Sequence, residues 1–301
     1  MAITSDNAKL LFYAKQLGAS FTQTLMLGRL CLGAKQDDIT KHINLFKNST
    51  KAINDVQFEN EYAEPLFEIL GATLVDSIDN SGYEGASIIH DMNVPIPLEY
   101  QNKYSAVVDG GTLEHIFNFP VAIKNCMDAL KVGGHFIGFT PANNTFGHGF
   151  YQFSSELFYR VFCSQNGFKI KMLAAYTGDG GDWYTVADTE QVKSRVMLTN
   201  ALPTHLIVIA EKVEAKAVFY VMPQQTDYQY AWDLFEADKQ GTRIERDSKL
   251  LFLYKKVLPS KARLLLRKTF DSIFNRHQVI EGIGKVNPKF FKKVDINNPE
   301  V

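Results

Sequence analysis

Four short apolar runs, each with a glycine or an aspartate at its C-terminal end, constrain this chain more than any other feature. Thr24–Arg29 (TLMLGR) reads as a fully buried strand, and Ala72–Asp79 (ATLVDSID), Ala86–Met92 (ASIIHDM) and Tyr104–Asp109 (YSAVVD, then Gly110 and Gly111) read as further strands. Segments with helical spacing lie between them. Gln36–Lys47 sets Ile39, Ile43 and Phe46 on one side and puts Asp37 and Asp38 in the first turn. Glu61–Leu70 sets Tyr62, Leu66, Ile69 and Leu70 on one side before Gly71 ends it.

The second half continues the pattern. Pro120–Leu130 reads as a helix with proline in its first turn, Lys131–Gly134 as a tight turn and His135–Thr140 as a strand stopped by Pro141. A helix follows from Ser154 to Asn166, closed by Gly167, and then two strands at Phe168–Tyr176 and Pro203–Lys212. Strands joined through helices must pair in parallel, whereas the last two can pair antiparallel. Their connection, Thr177–Ala201, is long and contains GDGGDW, read as a lid or plain loop and not as a metal loop. The character changes after Val213. Ala217–Trp232 is rich in aromatic residues, Leu250–Val257 and Lys261–Phe274 read as basic amphipathic helices, and the polar tail from Val286 reads as frayed. The expected division is residues 1–215 as an α/β domain and 216–301 as a partly helical extension.

Composition narrows the class. With 301 residues, 46% hydrophobic, and a formal net charge of -1, the chain has no electrostatic footprint for nucleic acid. The basic stretch Lys255–Lys268 reads as a solvated helix face. Cys31, Cys126 and Cys163 form neither a disulfide framework nor a zinc pattern. The first twenty residues lack the layout of a secretory signal, and no window approaches the roughly 18 apolar residues of a membrane span. The expectation is a soluble, cytoplasmic protein.

The stretch Tyr104–Gly138, YSAVVDGGTLEHIFNFPVAIKNCMDALKVGGHFIG, carries more. Asp109 at a strand end, Glu114-His115, and Leu130-Lys131-Val132-Gly133-Gly134 before the next strand fall in the order found in class I S-adenosylmethionine-dependent methyltransferases. The segment resembles the fourth-to-fifth strand region of that family, in the type 11-like group. The order of elements agrees from Thr24 to Val213. The resemblance implies a Rossmann-like sheet, mostly parallel with an antiparallel last strand, and S-adenosylmethionine as cofactor.

In an open sheet of this kind, ligands bind beyond the carboxyl ends of the strands. The resemblance then assigns Gly28 to the cofactor loop, Asp79 to the ribose hydroxyls, Asp91 and Met92 to the adenine, and Asp109 and Gly110 to the methionine portion. The first loop departs from the family pattern. Met26 stands where an acid is usual, and Leu30 and Leu32 add bulk where glycines leave the backbone bare. His148, set in GHGFYQF, and His115 are the candidate bases, since a near-neutral imidazole can take a proton from a hydroxyl or amine. Glu114, Tyr151 and Gln152 are the candidate acceptor contacts. No metal is expected. The function expected is methyl transfer to a small molecule, with a sugar or glycan precursor among the acceptors considered. The alternative is a catalytically inactive binding or scaffold protein of the same fold. A nicotinamide oxidoreductase ranks last, because Gly28 and Gly33 lack the middle glycine.

Overall fold

The computed structural model describes residues 2–58, 61–178, 181–192, 195–239, 283 and 288–296. Its centre is a nine-stranded sheet. The first sheet strand, β2 (Gln23–Leu27), lies between β4 (Leu74–Asp79) and β6 (Tyr104–Asp109), parallel to both. Beyond β4 lies β5 (Ile88–Ile89), and beyond β6 lies β7 (Leu130–Asn143), again parallel. Then β10 (Thr204–Lys212) runs antiparallel between β7 and β8 (Phe168–Tyr176). The full order is β11-β9-β8-β10-β7-β6-β2-β4-β5, with β9 (Tyr184–Val186) and β11 (Phe291–Lys293) completing one edge. This is a mixed α/β sheet with a parallel centre and antiparallel later strands.

Side-chain alternation along β2 explains the two layers. Leu25 and Leu27 enter one core with α4 (Phe119–Ala129) and α5 (Ser155–Val161). Met26 enters the other with α1 (Ser5–Gln16), α2 (Gln36–Phe46) and α3 (Glu64–Leu70). Helix α1, capped by the Thr4 hydroxyl accepting from the Asn7 N–H, was not visible in the sequence pattern. Seven of its residues between Asn7 and Ala14 are buried, so its apolar positions surround the axis instead of forming a stripe.

Several expected elements differ in detail. The Ala86–Met92 strand shrinks to Ile88–Ile89, because only those residues reach β4. The Lys131–Gly134 turn lies inside β7 as a bulge: Leu130 faces Tyr104 and His135 faces Ala106, with Gly133 at φ 82° absorbing the extra residues. The Ser154–Asn166 helix ends at Val161 and resumes as a 3-10 turn at Ser164–Asn166. The tail is not wholly loose, since Phe291–Lys293 pairs with β9. The stretches Leu250–Val257, Lys255–Lys268 and Lys261–Phe274 lie outside the described residues, as do the second and third residues of GDGGDW. A further helix, α7 (Thr226–Lys239), carries the exposed Tyr228, Tyr230, Trp232 and Phe235. Among the described residues no helix is long and apolar enough to cross a membrane.

Candidate functional site

The sheet reverses its strand order at β2, so the carboxyl ends of β2, β4 and β6 mark the place where open sheets of this kind bind ligands. Gly28 ends β2 with φ 70°, a conformation that favours glycine, and its N–H donates to the Ile78 carbonyl at 2.8 Å. A Cβ on Gly28 would stand 3.5 Å from Thr112 Oγ1 and 3.8 Å from Asp79 Oδ2. Three chain segments therefore meet around one bare backbone position. Thr112 is held there by its hydroxyl, which donates to the Leu27 carbonyl at 2.7 Å. Asp79 Oδ1 accepts from the Ser81 N–H at 2.9 Å, leaving Oδ2 as the oxygen turned toward Gly28.

The segment after Gly28 is tied down instead of forming an open loop. Arg29 pairs with Glu64 at 2.7 Å and lies 3.9 Å from the Tyr62 ring centroid. Leu32 pairs with Ile3, joining β3 (Cys31–Leu32) to β1 (Ala2–Ile3). Leu30 is buried, and a Cβ on Gly110 would meet its Cδ2 at 2.8 Å. Leu30 thus fills the space between the ends of β2 and β6, beside the position the resemblance gives to the methionine portion; Leu32 does not.

Asp109 is fully buried. Its Oδ1 accepts from the N–H groups of Gly111, Thr112 and Leu113 at 3.2, 2.7 and 3.4 Å, so the side chain shapes the turn that follows β6. Burial first, and the nearby Glu114 carboxylate second, push its carboxyl up to about 7; burial does the same to Glu114. Asp91 is exposed and accepts from Asn93 through both backbone and side chain. Met92 is buried in the core beside α4. Asn125, which the sequence reading passed over, fixes this stretch: its Oδ1 accepts from Ile96 N–H at 2.9 Å, and its Nδ2 donates to the Met92 and Val94 carbonyls at 3.3 and 2.8 Å. A lone asparagine on an apolar helix face was the available signal.

The second half of the site lies over β6 and β7. A 3-10 turn at Leu113–His115 buries the Glu114 side chain and leaves His115 exposed. The Glu114 carbonyl accepts from the N–H groups of Phe150 and Tyr151 at 2.8 and 3.3 Å. Those contacts bring His148 back to the same place: its Nε2 stands 3.3 Å from Glu114 Oε1, and its ring centroid is 5.1 Å from that of His115. Burial, then the charge on His148, lower the His115 pKa. Tyr151 donates its hydroxyl to the Phe117 carbonyl at 2.6 Å, and Gln152 Oε1 accepts from Thr145 N–H and Oγ1, closing the loop on itself. Exposed Phe117, Phe146 and Phe150 rim the cluster's loops. The structure therefore gathers Glu114, His115 and His148, sets Gly28 with Asp79, and adds Thr112, which the sequence reading missed although it follows a paired glycine at a strand end.

Two cavities lie elsewhere among the described residues. One of about 1060 Å³ lies among Tyr13, Tyr159, Met172 and Asp295, and one of about 520 Å³ between α5 and α7; neither includes Gly28, Asp79 or Glu114.

Comparison with known proteins gives distant likenesses only. No protein-family model matches the sequence, and no curated protein matches it. Among solved structures, a SAM-dependent methyltransferase from Leishmania major is 13% identical over 68% of this chain and 71% of its own, at a TM-score of 0.38. A geranyl diphosphate methyltransferase in complex with SAM is 13% identical over 69% and 85%, at 0.37. The branched-chain polyamine synthase of Thermus thermophilus is 14% identical over 73% of this chain, which spans 61% of the synthase, at 0.34. Likenesses at this level set neither ligand nor reaction.

Proposed function

We propose that this protein is an S-adenosylmethionine-dependent methyltransferase acting on a small molecule. The observation that carries the reading is the Gly28 corner. A left-handed glycine at the strand-order reversal leaves backbone bare between a carboxylate, Asp79, and a hydroxyl, Thr112. That arrangement fits a nucleoside: Asp79 Oδ2 can accept from ribose hydroxyls while the chain approaches closely at Gly28. When bound, the cofactor supplies an activated methyl group on a sulfonium.

The chain's own residues then have separable tasks. Gly28, Asp79 and Thr112 hold and orient. Tyr151 and Gln152 brace the loop that carries His148, and Phe117 and Phe150 offer apolar faces to an acceptor, a sugar or glycan precursor among them. As an acceptor oxygen or nitrogen bonds to the methyl carbon and the carbon–sulfur bond breaks, the acceptor's proton must leave. His148, paired with Glu114 and with His115 beside it, is the base this reading assigns to take it. Isothermal titration with S-adenosylmethionine and S-adenosylhomocysteine tests the reading: micromolar binding of both, abolished by Asp79→Ala, supports it, and no heat from folded protein overturns it.

Two observations favour a second reading. Leu30 against Gly110 fills the space between the ends of β2 and β6, and α7 exposes Tyr228 and Trp232. A protein that kept the fold without the reaction would bind through that helix. It would show no cofactor heat, and would lose an association on Tyr228→Ala or Trp232→Ala.

A further inference from the structure

From the Glu114, His115 and His148 side chains we infer a binding site for a divalent transition-metal ion. One carboxylate oxygen and one nitrogen from each imidazole lie within 4.8 Å of one another. Two of them, Glu114 Oε1 and His148 Nε2, are already 3.3 Å apart. Two ligands of a tetrahedral ion with bonds near 2.0–2.1 Å stand about 3.3 Å apart, so this pair needs almost no movement. His115 has to close the remaining gap, and its exposed ring is free to turn about its side-chain bonds.

A separate observation points the same way. Glu114 is 1% exposed, and its Oε2 is a buried oxygen with no hydrogen-bond partner. A carboxylate that is buried and half unpartnered is costly unless something balances it. The half-exposed His148 faces its other oxygen. A cation held between Glu114 and the two imidazoles would supply that balance. The backbone is built to keep the cluster closed: Phe150 and Tyr151 N–H groups hold the Glu114 carbonyl, and Gly149, at φ 75°, passes so near that a Cβ would stand 2.8 Å from it.

The ligand set indicates the kind of ion. Two imidazoles and one carboxylate suit zinc, cobalt or manganese better than magnesium or calcium, which prefer all-oxygen sites. Three protein ligands with both rings facing solvent leave further coordination positions open, as in sites that also bind a reacting molecule and unlike closed structural sites. Both imidazoles would then be ligands, so His148 would no longer serve as the base. Ion binding needs no cofactor, so it is tested apart from the methyl-transfer reading, whose base it would replace.

The test is titration of metal-stripped, full-length protein with zinc chloride by calorimetry, and with cobalt chloride followed by visible absorption. The expected result is one ion per chain and cobalt bands of a low-coordinate histidine site. His148→Ala and Glu114→Gln should each weaken binding by about 10–100-fold, at least the loss seen for outer partners of metal sites. Should Glu114→Gln fail to fold, His115→Ala, at an exposed position, replaces it. Absence of stoichiometric binding, or affinity unchanged in His148→Ala and His115→Ala, overturns the inference. Neither result depends on S-adenosylmethionine, so a negative here leaves the methyl-transfer proposal standing, and a negative there leaves this site standing.

Discussion

His148 Nε2 lies 3.3 Å from the carboxylate of Glu114, although the two residues belong to loops that follow different strands, β6 and β7. The contact is arranged by backbone. Gly149 passes so close to the Glu114 carbonyl that any side chain there would collide with it.

Gly149→Ala should therefore disturb the cluster while sparing the sheet. The substitution forces an alanine to φ 75° and into a 2.8 Å contact. A cost of about 1–3 kcal/mol is expected in urea unfolding. Cobalt binding should weaken with it, and an unchanged affinity would show that the loop position does not matter.

Leu30→Ala separates the two readings of the strand-end site. Removing a buried leucine should cost about 2–5 kcal/mol of stability. If the space it vacates is the methionine end of the cofactor site, S-adenosylmethionine should bind more tightly than in the parent. Affinity that is equal or lower would place the ligand away from Gly110.

Asn125→Ala should loosen the stretch from Met92 to Ile96. It removes one acceptor and two donor contacts from a buried position, each loss worth about 1–3 kcal/mol when partners are left unsatisfied. Hydrogen exchange at the Ile96 amide should accelerate while amides of β6 stay protected.

His135 predicts how stability follows pH. It is 2% exposed on β7, facing Ala106 on β6 and Glu211 on β10, and Glu211 itself pairs with Lys171 of β8 at 3.4 Å. Burial lowers its pKa below 6.5, outweighing the opposing pull of Glu211. The unfolded chain then binds the proton more readily than the folded one. Stability is complete above the ordinary histidine range and declines as pH falls through 6.5 and below. His135→Leu should flatten that decline in denaturant titrations between about pH 7.5 and 5.5; a slope equal to the parent's would assign it to other groups.

The frame was legible because its strands are short segments rich in apolar residues between helix and turn signals, and β2, β4, β6, β8 and β10 could be read that way without knowing their neighbours. What escaped were features decided by distant contacts. Helix α1 is buried on most sides, so no polar face marks it. The two-residue strands β1 and β3 exist only through each other. In the site, Glu114, His115 and His148 were each visible as chemistry, but their meeting depends on Gly149 and on a loop closed by Gln152. The burial of Met92 and the packing of Leu30 on Gly110 are consequences of tertiary neighbours that spacing does not encode.

The short strand Phe291–Lys293 has one more effect. It occupies the open flank of β9, where Lys293 pairs with Asp182 and the Val294 amide is bound by the Trp183 carbonyl. Unpaired edges of sheets invite another chain to add on. Trimming the protein before Pro288 would uncover Tyr184–Val186, turning a guarded border into an adhesive one, so self-association in light scattering is the behaviour to watch for in shortened versions.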